Sequence, residues 1–591
     1  MNRFFVLSLI CVGMGCTETT TKEDQKKTTS VAEPISETPP SVLTSNSPAS
    51  NSRASQPANS SPIGMAASDD RIVLTDYSSE SLLDFQHQYD GKGQKYILEA
   101  LASGMATIDF DADGLMDVYF LNGASIGPQM AELLPNALYR NLGDFQFARV
   151  SELSGTDDRN FSTGVAVADY DNDGFSDIFV NNYGSDRLFR NNGDGTFSDL
   201  TETAKVSRME LGAGACFFDA DGDGLLDLYS SNYVKSPVEK NVKRTTNGNT
   251  IYPGPLDFEP ENDFFFRNEG DGTFTDLTRE CGIAEIRTTS MGTVATDYDN
   301  DGDIDLVIVN DLDRNVLLEN DGTGKFIDVG IQRGIAFSFD GRRNGNMGVD
   351  CADYDNNGSM DLYTTTFSNE FPVLYKNDGT GNFSDVTLAT GAGGRMKPHA
   401  NWGTSFLDIE NDCDKDLFIA NGHVDPNVQL WAFNTSWKVA NSVLLNEAGK
   451  FKDISTTVGS GLLPVESSRG SVAEDLDNDG DIDLVVLNSL ATPTVIKNDT
   501  VSSNNWLEIR LVGRTACRDA TGSRVHVYLD GKTLTDEVHS GRGYQSSFGQ
   551  RLSFGLGKST TVPKVKIRWS DGKEENLSEL PVNQLLTIIQ K

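Results

Sequence analysis

Residues 299–306 read Asp-Asn-Asp-Gly-Asp-Ile-Asp-Leu, and residues 477–484 repeat the same eight letters. Variants of this stretch make seven copies, beginning at Asp109, Asp169, Asp219, Asp297, Asp353, Asp408 and Asp475. The fullest follow Asp-x-Asp-x-Asp-Gly-x-x-Asp. Small and apolar residues precede each copy, as in Gly164-Val-Ala-Val-Ala. Runs such as Val118-Tyr-Phe-Leu, Ile178-Phe-Val and Leu306-Val-Ile-Val follow. β-Branched and aromatic runs bounded by turn residues predict strands. Asn closes that run at Asn122, Asn182, Asn232, Asn310, Asn421 and Asn488, and Thr366 takes its place in the fifth copy. Between copies lies a second element, seen as Arg190-Asn-Asn-Gly-Asp-Gly-Thr-Phe and Arg267-Asn-Glu-Gly-Asp-Gly-Thr-Phe. Gly-rich turns of this kind join antiparallel strands. Each unit is therefore a set of four short strands. All-β units of this size predict the blades of a seven-bladed β-propeller, with an open β-solenoid as the alternative. Closure is favoured because it removes exposed sheet edges.

The loop's chemistry points to a cation. Its first, third, fifth and ninth positions carry oxygen-bearing side chains, its sixth is Gly for a sharp turn, and its seventh can offer a carbonyl. These are the hard oxygen donors that Ca²⁺ takes at six- to eightfold coordination. The candidate ligands are Asp109, Asp111, Asp113 and Asp117; Asp169, Asp171, Asp173 and Asp177; Asp219, Asp221, Asp223 and Asp227; and Asp297, Asp299, Asp301 and Asp305. The last three loops add Asp353, Asp355, Asn357 and Asp361; Asp408, Glu410, Asp412 and Asp416; and Asp475, Asp477, Asp479 and Asp483. An EF-hand would need a bidentate Glu at position twelve, where this chain has Phe120, Val180 or Val486. These are thus calcium loops between strands. Carboxylates crowded into one turn repel one another unless a cation sits among them. Two loops depart from the pattern. The fifth has Asn357 in place of an acid, and its amide oxygen can still serve. The sixth has Cys413 at the turn glycine and Lys415 within the loop, so it is expected to hold an ion weakly or not at all.

Composition agrees with a cation partner. The 591 residues carry 87 acids against 49 bases, a net charge of −38, which excludes the basic footprint of a nucleic-acid binder. Arg3, the apolar run 4–12, small Gly13 and Gly15, and then Cys16 form a targeting segment too short to span a bilayer. It resembles a bacterial lipoprotein signal (1–15) with Cys16 as the lipidated residue, and plain secretion is the other reading. That resemblance implies an extracytoplasmic protein held at an outer membrane or cell surface by a lipid anchor. Residues 16–68 are rich in Ser, Thr and Pro and read as a flexible tether. Cys216, Cys281, Cys351, Cys413 and Cys517 remain, with no regular spacing, so no disulfide framework is expected. Cys216 and Cys351, on strands just before acidic loops, are expected to be buried.

The acidic loops, together with the Arg-Asn-Asn-Gly-Asp-Gly-Thr-Phe element, resemble FG-GAP/VCBS repeats of the integrin α type. That resemblance implies calcium binding and a seven-bladed propeller over 69–500. Near Asn504 the composition changes. Trp506-Leu-Glu-Ile-Arg-Leu-Val, Ser523-Arg-Val-His-Val-Tyr-Leu and Val565-Lys-Ile-Arg-Trp largely alternate, as half-buried strands do. Arg518-Asp-Ala-Thr-Gly-Ser-Arg-Val, Ser540-Gly-Arg-Gly-Tyr-Gln and Leu552-Ser-Phe-Gly-Leu-Gly make 504–591 resemble an ASPIC/UnbV domain. The pairing is similar to bacterial relatives of the cartilage acidic protein family, which implies an extracellular calcium-binding protein and no defined activity.

Two function classes follow. The first is a calcium-dependent binding module for a protein or glycan, with Ca²⁺ as structural staples. The second is an extracytoplasmic enzyme of polysaccharide or secondary metabolism, using a pocket near His399 and His423, which flank the sixth loop. No nucleophile elbow, phosphate loop or Cys-x-x-Cys motif is present, which favours the first. Two long connections, Tyr233 to Asp263 and His423 to Asn441, are candidates for binding function, with packing of their aromatics on the propeller rim as the favoured alternative; the second carries Trp431 and Trp437.

Overall fold

The computed structural model describes residues 71–126 and 134–591. The expected signal, the tether and Cys16 lie outside the described residues. Among these residues no helix is long and apolar enough to cross a membrane.

Seven four-stranded antiparallel sheets form the body, one per acidic loop. The second is typical: Phe161–Ala168, Asp177–Tyr183, Arg187–Asn191 and Phe197–Asp199, hydrogen-bonded in that order. Its acidic loop joins the first strand to the second, and the Gly-Asp-Gly turn joins the third to the fourth. The first strands of successive sheets pack against one another around an axis, from Met105–Ile108 to Ser468–Glu474 and back. They carry small side chains where neighbouring blades crowd, as in Gly164-Val-Ala-Val-Ala. The last sheet takes its fourth strand from the other end of the chain, Leu74–Asp76 paired with Thr494–Asn498. One apolar cluster joins Val118 and Phe120 of the first blade to Val485 and Leu487 of the seventh. The architecture is the expected all-β, seven-bladed propeller.

An asparagine ties each blade to the one before it. Asn191 ends the third strand of the second blade, and its Nδ2 donates to the Phe110 carbonyl of the first blade at 2.9 Å. Asn268, Asn320, Asn377, Asn446 and Asn498 repeat this bond to Tyr170, Ala220, Tyr298, Tyr354 and Ile409. Asn141 of the first blade donates to Leu476 of the seventh at 2.8 Å, so the series returns to its start.

The C-terminal residues form two further sheets. Arg551–Gly557, Asn505–Val512 and Leu585–Ile589 make one; Thr533–Glu537, Arg524–Tyr528, Val562–Arg568 and Glu574–Leu580 make the other. They enclose a core of their own around Leu507, Val525, Ile567 and Trp569. The segment between Glu537 and Arg551 leaves this core and runs among the first strands of the propeller. Gly543 exchanges backbone bonds with Val349 at 2.7 and 3.0 Å, and Ser547 N–H donates to the Met105 carbonyl at 3.1 Å. Ser540 Oγ meets both the Phe217 N–H (2.6 Å) and its carbonyl (2.7 Å). Gly104 leaves room for this segment; a Cβ there would stand 1.7 Å from the Gln545 carbonyl oxygen. Arg542 Nε donates to Asp350 Oδ1 at 2.5 Å, with both residues buried.

Arg542→Ala strands the buried Asp350 carboxylate without its counter-charge, which costs about 3–5 kcal/mol. Thermal unfolding should show a clearly lowered Tm; an unchanged Tm would mean that the segment is not seated in the folded channel.

Candidate metal centres

The local fold of each loop follows from its residue types. The fourth position is left-handed in all seven: Ala112, Asn172, Gly222, Asn300, Asn356, Asn411 and Asn478 have φ between 56° and 72°. Asn and Gly tolerate that region best, which accounts for the recurrent Asp-Asn-Asp. The sixth position is left-handed too, and Cys413 adopts it with φ 82°. The sixth loop therefore keeps the shared turn. Its cysteine is partly buried and packs against the C-terminal core. Lys415 also leaves the loop, donating to Asp536 at 2.9 Å and to the Ser553 carbonyl at 3.0 Å.

The carboxylates have distinct jobs. In loops two to seven the first-position Asp accepts backbone N–H groups across the turn; Asp169, for example, takes those of Asp173 (2.9 Å) and Gly174 (2.8 Å). The fifth-position side chain accepts the N–H two residues on, as Asp173 does from Phe175 at 3.0 Å and Asn357 from Ser359 at 2.8 Å. The ninth-position Asp is buried in every loop. Its Oδ1 takes the N–H of the third-strand Asn, 2.7 Å for Asp177 with Asn191, and its Oδ2 takes the N–H of the second loop position in every loop but the fourth, where Asp305 Oδ2 is buried without a partner.

The third position differs. One oxygen of Asp111, Asp171, Asp221, Asp299, Asp355, Glu410 and Asp477 is buried without a hydrogen-bond partner. This holds in every loop, the sixth included. In four loops a basic side chain one residue before the third-strand Asn pairs with the same residue: Arg140, Arg190, Lys376 and Lys497. Each still leaves one oxygen bare. Ligand atoms of positions one, three and nine lie within 4.8 Å of one another in the first, second, fourth and fifth loops; in the third loop the trio is Asp219, Asp221 and Asp223. The fifth-position residues Asp113, Asp173 and Asp301 stand outside those trios. Several Asp clusters can thus bind a metal ion, and a bare buried carboxylate oxygen fits a hard cation.

Electrostatics agree. Burial, reinforced by neighbouring carboxylates, pushes Asp117 up to about 8 and Asp353 and Asp475 to about 7. Asp177, Asp361 and Asp483 rise well above the usual range for the same cause.

The other end of the first strands holds a second candidate site. A cavity of about 320 Å³ opens there, lined by the strand starts Met291, Met347 and Trp402 and by both long connections, through Tyr252 and Trp431. His423 lines it and is buried, its Nδ1 accepting the Asp425 N–H at 3.0 Å. His399 does not line it; its Nδ1 meets Thr435 Oγ1 at 3.1 Å. The expected pair of pocket histidines is therefore reduced to one. Trp431, but not Trp437, reaches the cavity. All five described cysteines are free, with Cys216 and Cys351 buried as expected.

Comparison with known proteins follows the two halves. Residues 513–591 match the family described as ASPIC and UnbV. Residues 109–180, 169–230, 257–308 and 297–364 match the FG-GAP-like repeat. The chain carries FG-GAP-like repeats and a C-terminal ASPIC/UnbV domain. Its homology to cartilage acidic protein 1 is distant: 25% identity to the Homo sapiens protein over 325 residues, covering 53% of this chain and 46% of the relative. The Xenopus tropicalis protein is 25% identical over 371 residues, covering 59% and 46%. The chain spans about half the length of the curated relatives it matches. Among solved structures, an Agrocybe aegerita lectin recognising non-reducing terminal N-acetylglucosamine aligns at TM-score 0.36 and 16% identity, over 66% of this chain and 87% of the lectin. The loops at Asp408 and Asp475 lie beyond the matched repeats yet share their geometry.

A carboxyl whose pKa rises on folding binds its proton more tightly in the folded state. Stability is then lost as pH climbs from about 4, the unfolded value, through the folded values of about 7 to 8. In chelator, Tm should fall steadily between these limits, and saturating calcium should flatten the slope. A chelated protein that gains stability over this range would contradict the assignment.

Proposed function

We propose that this chain is an exported, calcium-stapled β-propeller that acts as a binding module for a protein or glycan ligand. The observation that carries the calcium reading is the bare buried oxygen at the third position of all seven loops. Seven independent turns do not each bury an unpaired carboxylate oxygen unless something pairs it. The donor set is all oxygen, which selects a hard cation over zinc or copper. Calcium suits it better than magnesium, which demands a strict octahedron and keeps its waters. Positions one, three, five and nine would hold the ion, with the main-chain carbonyl of position seven. In the fifth loop Asn357 would contribute its amide oxygen, and in the sixth Glu410 would take the third position. Seven ions would bring the formal charge from −38 to −24.

Calcium is a staple in this reading and not a reagent. Each ion would lock the turn between the first two strands, where the ninth-position Asp also anchors the third. The ligand would be met at the far end of the axis, where the long connections gather and where Tyr544 of the C-terminal segment packs against Trp402. The Arg3 to Cys16 segment supports export and a lipid anchor at a bacterial surface. Only one histidine reaches the cavity, which weighs against an enzyme built on His399 and His423.

Elemental analysis of the purified protein, with melting before and after EGTA, tests the staple. The expected result is one calcium per loop and a large fall in Tm on chelation; each site held at a hundred times its Kd adds about 2.7 kcal/mol. Asp171→Asn should release one ion and lower Tm modestly. Absence of calcium with no effect of EGTA would sink the reading, and a stoichiometric transition metal would redirect it to catalysis.

A further inference from the structure

The cavity at the open end of the axis carries two carboxylates, and only one has a counter-charge. Asp425 pairs with Lys95 Nζ at 3.2 Å, and that ammonium lies 4.1 Å from the centre of the Tyr252 ring. Asp311, also lining the cavity, is 8% exposed. Its Oδ2 accepts the buried Tyr233 hydroxyl at 2.6 Å. Among the described residues no lysine or arginine lies within ion-pair distance of it, and no basic residue lines the cavity apart from the buried His423. Burial and the nearby Arg469 and Lys95 hold His423 down at about 4, so it is neutral at pH 7. Burial raises Asp311 to about 6, which leaves it ionised at pH 7.5. The remaining wall is apolar and aromatic, with Met291, Met347, Phe367 and Trp431. Leu312, next to Asp311, holds a left-handed backbone at φ 58° and contributes to the same wall.

A desolvated carboxylate without a counter-charge, set among aromatic faces, is complementary to an organic cation. The same structure shows the chemistry satisfied once, where Lys95 lies between Asp425 and the Tyr252 ring. We infer that the cavity binds a small organic ammonium ion, with its charge against Asp311 and its apolar body against Met291, Met347 and Phe367. A volume of about 320 Å³ suits a compact ligand. The inference rests on the open mouth being the module's binding site and names its ligand class; it does not depend on calcium.

The test is calorimetry on the intact, calcium-saturated protein with four probes that share a phenyl ring: benzyltrimethylammonium, benzylamine, benzyl alcohol and benzoate. The two cations should bind, with the alcohol and the benzoate weaker by about tenfold or more, a difference of about 1.4 kcal/mol. Asp311→Asn keeps an acceptor for Tyr233 and should lose that preference without a change in Tm. Trp431→Ala, on a surface connection, should weaken the cations several-fold and serves if the first variant does not fold. Equal binding of all four probes would overturn the cation assignment while leaving the mouth a ligand site. Absence of binding by any probe up to about 10 mM, beyond the weakest affinity worth calling a site, would overturn both.

Discussion

Everything in this molecule hangs on one buried carboxylate per blade, the ninth-position Asp. In the second blade Asp177 accepts the backbone N–H of Tyr170 through one oxygen and that of Asn191 through the other. Asn191 then reaches back to the first blade with its side chain. A single group therefore sets the turn, pins the third strand to it and fixes the spacing of adjacent blades. Such a group is expensive: a carboxylate taken out of water loses its hydration, and hydrogen bonds alone seldom restore it. The first- and third-position carboxylates beside it worsen the repulsion. The arrangement is stable only with positive charge close by, which explains why the third strand so often carries Arg or Lys just before the Asn. That residue reaches one oxygen of the third-position acid and leaves the other bare.

Much of this was legible in the sequence because the loop is long, periodic and chemically extreme. Seven in-phase copies of Asp-x-Asp-x-Asp-Gly gave the blade number, and the flanking strand runs gave the class. The asparagines that link the blades were missed. Asn191 and Asn268 were visible in the Arg-Asn-x-Gly element but looked like turn residues, since Asn at a turn has an ordinary local explanation. Their recurrence one residue after Arg140, Arg190, Lys376 and Lys497 was the available signal. The sixth loop keeps the shared turn with Cys413 left-handed, as its sequence required, but its surroundings lay beyond the loop. Cys413 and Lys415 look disruptive within the loop alone, yet both are directed to the C-terminal domain, and a tertiary contact cannot be read from a nine-residue window. The histidines are neighbours in sequence around one loop but part company in space: His423 lines the cavity, while His399 turns to the Thr435 hydroxyl.

The C-terminal domain makes the two ends of the propeller unlike. On the acidic face its Arg510 reaches Asp109 at 3.2 Å, its Arg568 pairs with Asp297, and its Lys532 reaches Asp414 at 2.9 Å. Trp506 lies over Gly480, where a Cβ would stand 1.9 Å from the indole. The domain thus supplies cations to the end of the body most in need of them. Its glycine-rich segment also fills the axis with backbone: a Cβ at Gly541 would stand 2.0 Å from the Ala215 carbonyl oxygen, Gly543 holds a left-handed backbone at φ 70°, and Ser540, Ser546 and Ser547 satisfy amides that a closed ring of strands would otherwise leave facing a void.

This division has a consequence for where recognition can occur. A propeller axis is ordinarily open at both ends. Here one end is sealed by a domain whose contacts are charged, hydrogen-bonded and buried, so it cannot also serve as an exchangeable binding surface without exposing Arg542, Asp350 and the serines. The other end keeps its long connections, its aromatic residues and, in Asp311, a carboxylate bonded to the Tyr233 hydroxyl with no counter-charge among the described residues. In the proposed reading, stability and recognition sit at opposite ends of the same seven strands: basic side chains of the C-terminal domain hold the loop face, where ions would join them, and the mouth carries chemistry that folding does not require.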